Sequence, residues 1–76
     1  MNHTFSLVVN NEPGVLSRIS GVFTRRRYNI SSLAVNEGDS KETSRMEMTT
    51  ACTAAEAILL VSQLDKLIDV RQVEKL

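Results

Sequence analysis

Phe5, Leu7 and Val9 alternate with Thr4, Ser6 and Val8, the two-residue period of a strand with one strongly apolar face. Asn10-Asn11-Glu12-Pro13-Gly14 then interrupts with a dense turn and helix-start signal, in which Pro13 fits the first helical position, where a missing N–H costs nothing. From Gly14 to about Arg26 the period lengthens. Val15, Leu16, Ile19, Val22 and Phe23 form a helical stripe opposite Ser17, Arg18, Ser20, Gly21, Thr24 and Arg25. Tyr28 to Val35 predicts a second strand, with Ile30, Leu33 and Val35 apolar, and Asn36 to Ser44 a polar loop. Arg45 to Ala51 alternates cleanly, Met46, Met48 and Thr50 on one face and Arg45, Glu47 and Thr49 on the other. Thr53-Ala54-Ala55-Glu56 has capping-box spacing and opens a second helix, striped by Ala57, Ile58, Val61, Leu64 and Ile68. Asp69 to Leu76 is the last strand candidate, although Val70 and Val73 stand three apart and break strict alternation.

The order strand, helix, strand, strand, helix, strand, with one apolar stripe per helix, predicts an α+β protein of ferredoxin-like βαββαβ architecture. Residues 1–76 form a single domain in this reading: a four-stranded antiparallel sheet with two helices on one face. The other face, carrying Thr4, Ser6, Arg45, Glu47 and Thr49, stays wet or meets a partner.

Composition narrows the function more than the fold. Nine basic residues balance nine acidic ones, which gives no general drive towards nucleic acid or an anionic membrane. No apolar run approaches the roughly 18–20 residues of a membrane span, no signal peptide is visible, and the lone thiol of Cys52 suits the cytoplasm. A chain of 76 residues buries a modest core, and metals, disulfides or association commonly supplement such cores. One cysteine excludes an internal disulfide, and one histidine, His3, argues against a metal site, which leaves association.

The candidate chemistry lies at the two ends of the first helix. Its start, around Glu12 to Val15, displays unpaired N–H groups and a partial positive charge that suit a carboxylate. Asn11 before it and Asn29 after it add donors and acceptors, the latter able to receive an ammonium group. Leu16, Ile30 and Leu33 are placed to wall an aliphatic side chain. This is the pattern of an amino-acid sensor. The plainer reading is that Asn11 caps the helix, Gly14 permits a tight turn and Asn29 occupies another turn.

Asn11-Glu12-Pro13-Gly14-Val15-Leu16-Ser17-Arg18, Gly21-Val22-Phe23, Arg26-Arg27-Tyr28-Asn29-Ile30-Ser31-Ser32-Leu33, Ser44-Arg45-Met46 and Gln63-Leu64-Asp65-Lys66-Leu67-Ile68-Asp69-Val70 carry a resemblance. Over nearly its whole length the chain resembles ACT domains, and more closely the small regulatory subunit of acetohydroxyacid (acetolactate) synthase. The resemblance implies a homodimer joined edge to edge into one eight-stranded sheet. It implies a branched-chain amino acid effector, usually valine, in the groove between the two copies. It also implies a large catalytic subunit that this chain activates and places under feedback control in isoleucine/valine biosynthesis. Thiamine diphosphate, Mg and FAD are then expected only on that catalytic subunit, with no cofactor in this chain. Asn11, Gly14 and Asn29 fall at effector positions of the family, with Glu12, Pro13, Val15, Leu16 and Ile30 lining. There are departures. Many relatives have glycine where this chain has Arg27 and serine where it has Pro13, and the usual subunit continues into a second domain. The chain thus resembles a short form of the subunit or a piece of it. The alternative from another class is a free-standing ACT module that regulates some other enzyme.

Three further features have plain readings. Arg25-Arg26-Arg27 suits a helix C-terminus and, alternatively, an acidic patch on the catalytic subunit. Cys52 reads as a small packing residue, although a thiol near a helix start can be activated. Met46, Met48 and the stripe from Ile58 to Leu64 read as core. No phosphate-binding glycine loop, carboxylate pair or ligand cluster points to catalysis by this chain alone.

Overall fold

The computed structural model describes residues 1–76. Nine residues of β1 (Asn2–Asn10) lead into α1 (Val15–Arg25), followed by β2 (Ile30–Glu37), β3 (Thr43–Ala51), α2 (Ala54–Asp65) and β4 (Val70–Lys75). The strands form one antiparallel sheet in the order β2-β3-β1-β4, which is the ferredoxin-like arrangement the patterning predicts. Phe5, Leu7 and Val9 of β1 and Met46 and Met48 of β3 meet Val15, Ile19, Val22 and Phe23 of α1 and Ala57, Leu60 and Leu64 of α2 in a single core. Phe5 and Phe23 pack edge to face with ring centroids 6.0 Å apart, a favoured aromatic geometry.

Several boundaries and faces differ from expectation. β2 begins at Ile30, two residues late, because Tyr28 and Asn29 are held in the turn that ends α1. The polar loop shrinks, since β2 and β3 pair as far as Glu37 and Ser44. Pro13 lies before α1 and not at its first position, because Gly14 is the cap residue, at φ 85. Leu16 is exposed, leaving Val15, Ile19, Val22 and Phe23 as the buried stripe. In α2 the buried line is Ala57, Leu60 and Leu64. Ile58 is 69% exposed, and Ile68, beyond the helix, is 93% exposed. The predicted stripe is therefore wrong at Ile58 and Ile68 and omits Leu60: four apolar residues run consecutively from Ile58 to Val61, so hydropathy alone does not single out the buried face of α2.

Two β-bulges explain apolar residues spaced three apart. Ile30 pairs with Thr50 and Ser32 with Thr49, so Ser31 is the extra residue, and Ile30 and Leu33 both face the helices. Likewise Val9 pairs with Val70 but Val8 with Gln72, so Arg71 is extra and Val70 and Val73 share the core face. One inserted residue reverses the alternation downstream of it.

The capping box of α2 forms as expected: the Glu56 N–H donates to Thr53 Oγ1 at 3.1 Å, and the Thr53 N–H to Glu56 Oε1 at 2.8 Å. The Tyr28 hydroxyl donates to Glu56 Oε2 at 2.6 Å, tying the end of α1 to the start of α2. That hydrogen bond, with the Thr53 N–H behind it, holds the Glu56 carboxyl below its ordinary range and pushes the Tyr28 hydroxyl up.

Candidate functional site

The sequence-predicted site residues divide between opposite ends of the sheet. Asn11, Glu12, Pro13 and Gly14 follow β1, whose last residue, Asn10, pairs with Thr43 of β3. Asn29 and Ile30 sit at the start of β2, where Ile30 pairs with Thr50 of the same strand β3. Seven residues of extended chain separate Thr43 from Thr50, about 23 Å at strand rise. One copy therefore does not bring Asn11 and Asn29 together.

At the first end, Asn11 does not cap α1. Its amide Nδ2 donates to the Lys41 carbonyl at 3.2 Å and its N–H to the Glu42 carbonyl at 2.7 Å, which fastens it to the β2–β3 loop. The α1 cap has no side-chain hydrogen bond. The Val15 N–H is taken by the Glu12 carbonyl at 3.3 Å and the Val15 side chain is buried, so Val15 supplies no wall. The N–H groups of Leu16 and Ser17 have no acceptor within the chain and remain available to an anion. Leu16, being exposed, can serve there as an apolar contact.

Arg18, assigned by pattern only to a polar face, proves to belong to this end. Its Nε donates to Asp69 Oδ2 at 2.7 Å, with the Asp69 side chain only 10% exposed. A Cβ on Gly14 would stand 3.0 Å from Arg18 Nη1, so the guanidinium lies over the glycine. Its position four residues after Gly14, one turn along the same face, was the sequence signal for this. An open cleft of about 660 Å³ also lies at this end, lined by Asn11 and by Val35 to Lys41, Thr43 and Ser44. Its lining is polar apart from Val35, and it reaches the free edge of β2.

At the other end, the main chain of Asn29 is clamped while its side chain is free. Thr50 Oγ1 donates to the Asn29 carbonyl at 2.6 Å, and the neighbouring Tyr28 is held by Glu56. The side-chain amide of Asn29 makes no hydrogen bond within the chain and is exposed. Between the two ends runs β2, an edge strand. Leu33 and Val35 pair with Met48 and Met46 and so point to the helix side, yet they remain 44% and 50% exposed because no helix covers them. At the opposite edge, Val70 is buried and Val73 packs against the core.

Cys52 is buried, and burial together with the nearby Glu56 carboxylate pushes its thiol up, away from the reactive thiolate form. No helix is long and apolar enough to cross a membrane.

Residues 5–72 match the family model described as the AHAS small subunit-like ACT domain. The chain is 44% identical over 72 residues to acetolactate synthase small subunit 1, chloroplastic, of Nicotiana plumbaginifolia, covering 95% of this chain and 16% of that protein. It is 43% identical over 68 residues to the acetolactate synthase small subunit of Mycolicibacterium smegmatis, covering 90% of this chain and 40% of that one. The crystal structure of the acetolactate synthase small subunit from Thermotoga maritima superposes with a TM-score of 0.90 at 31% identity, over 99% of this chain and 47% of that chain. The chain thus spans less than half the length of each of these relatives.

Proposed function

Because the chain belongs to the AHAS small subunit-like ACT domain family, we propose that it is the effector-sensing part of an acetolactate synthase regulatory subunit. It acts as a homodimer that binds a branched-chain amino acid, valine first, and transmits its presence to the large catalytic subunit. It has no turnover of its own in this reading. Thiamine diphosphate, Mg and FAD belong to the catalytic subunit, and the pair works in the cytoplasm.

The observation that carries the proposal is the separation of Asn11 and Gly14 from Asn29 along one sheet whose β2 edge is apolar and uncovered. Pairing β2 antiparallel with β2 of a second copy about a two-fold axis continues the sheet to eight strands and covers Leu33 and Val35. It also sets Asn29, at the start of one β2, beside the end of the partner strand, where the second copy's own Asn11–Gly14 turn and cleft lie. The effector carboxylate then meets the Leu16 and Ser17 N–H groups beneath the Arg18 guanidinium. Its ammonium meets the side-chain amide oxygen of the partner's Asn29, and its aliphatic group lies against Leu16 and the partner's Ile30.

An effector bound only when two copies are joined this way shifts the balance between catalytic-subunit states by its difference in affinity for them. Such couplings are typically about 1–3 kcal/mol. Reconstitution tests the reading. Added to the catalytic subunit of its own organism, this chain raises acetolactate formation, and valine reverses the increase. If neither activity nor valine response changes, the reading is wrong. Tight calorimetric binding of serine, phenylalanine or tryptophan in preference to valine would instead indicate a sensor for another enzyme.

A further inference from the structure

The groove between the two helices holds a concentration of one charge that the effector site does not use. About 420 Å³ in volume, it is lined by Val22 and Arg25 of α1 with Arg26 just after it, and by Gln63 of α2 with Lys66 and Leu67 just after it. The chain as a whole is neutral, with nine residues of each sign. Yet the only two ion pairs it forms are Arg18 with Asp69 and Arg45 with Asp39. Arg25, Arg26 and Lys66 are all exposed and none has an acidic partner, although Asp65 adjoins Lys66 in sequence. Position near a helix C-terminus accounts for each cation singly. It does not account for three at two helix ends lining one groove over an apolar floor of Val22 and Leu67.

We propose that this groove docks an acidic segment of the catalytic subunit, with Asp or Glu side chains meeting Arg25, Arg26 and Lys66 and an apolar residue resting on Val22 and Leu67. The inference rests on the regulatory-subunit reading and names the surface by which the regulator is held. The shape of the groove favours a protein segment over a small free anion. The groove is open and its cations are long and exposed, the arrangement of a steering and docking rim. The groove also lies on the helix layer, away from the β2 edge that joins the copies, so it stays open in the dimer. Arg27 drops out of the basic run: its backbone turns away at φ 65 and it does not line the groove.

The test uses the full chain and the catalytic subunit of its own organism, titrated against each other at low salt with acetolactate formation as the readout. In the triple variant Arg25→Glu, Arg26→Glu and Lys66→Glu, the concentration for half-maximal activation rises about tenfold or more. The variant also loses most of the salt sensitivity of the wild-type titration, while valine binding by the isolated chain is unchanged. Should charge reversal unfold the chain, the neutral variant Arg25→Gln, Arg26→Gln and Lys66→Gln serves, with a smaller shift in the same direction. Activation by a folded variant at wild-type concentrations overturns the inference and leaves the regulatory reading standing. A wild-type chain with no effect on the catalytic subunit overturns both. Saturable shifts of the Arg25, Arg26 and Lys66 resonances with inorganic phosphate alone, together with undiminished activation by the variant, would assign the groove to a free anion and overturn the docking proposal.

Discussion

Gly14 and Arg27 occupy the same left-handed region of backbone space at opposite ends of α1, at φ 85 and φ 65. The glycine has no Cβ to strain; the arginine does. At the Arg27 end, the Arg27 N–H donates to the Thr24 carbonyl at 3.0 Å and the Tyr28 N–H to the Phe23 carbonyl at 2.9 Å, the two bonds of a Schellman stop. The Arg27→Gly variant should therefore be more stable by about 1 kcal/mol, read as a raised urea midpoint with an unchanged slope. Gly14→Ala should lose about 1–2 kcal/mol from backbone strain alone, and should also weaken effector binding because its methyl group presses on the Arg18 guanidinium. Buried Cys52 should resist alkylation in the native chain at neutral pH and react only on unfolding. Rapid native labelling would show its thiol to be accessible. At this scale the sequence was legible where geometry demands one residue type, as at Gly14. It was illegible where contacts are long-range: Asn11 resembles a helix cap but bonds to Lys41, and the Arg18–Asp69 pair spans 51 positions.

At the scale of elements, hydrophobic period identified both helices and the strands β1 and β3, β4 was a candidate despite broken alternation, and the capping box located the start of α2. Misreadings arose where period is degenerate. A bulge in β2 and another between β1 and β4 each reverse the alternation, and no local signal marks either. In α2, unbroken apolar sequence hid Leu60, which is fully buried, and promoted Ile58, which is not. The Tyr28–Glu56 hydrogen bond joins the two helices and braces Asn29, so it offers a test at this level. Because the folded chain holds the Glu56 carboxyl below its unfolded value, its contribution is complete above the ordinary glutamate range and is lost as pH falls through the lowered value. The raised Tyr28 hydroxyl contributes below its ordinary value near 10 and loses that contribution only as pH rises past it. Between those limits both are intact. Stability of the Glu56→Gln variant should consequently fall less steeply with acid than wild type, measured by urea unfolding from neutral pH downwards. Parallel curves would remove Glu56 from the account. Tyr28→Phe should weaken valine binding several-fold while the chain stays folded and dimeric.

For the whole molecule, the fold places Asn11 and Asn29 at opposite ends of the sheet and leaves the β2 edge apolar and uncovered. Neither fact was legible in the residues alone. Both depend on which strands are neighbours; the small chain with no disulfide or metal cluster suggested association, the family resemblance suggested a dimer, and the uncovered β2 edge supports that proposal. Val35→Lys places a charge on a residue already half exposed, so folding should survive while the dimer dissociates and valine binding disappears with it, as read by sedimentation and calorimetry. The central claim is that each effector site draws the turn that Asn11 fastens from one copy and Asn29 from the other. Mixing two defective chains tests it most directly. Asn11→Ala and Asn29→Ala homodimers should each fail to bind valine. Unfolded together and refolded in equal amounts, they should recover about a quarter of the wild-type sites, because half the dimers are mixed and each mixed dimer contains one intact site of two. A mixture that binds no more valine than its separate components would contradict the account.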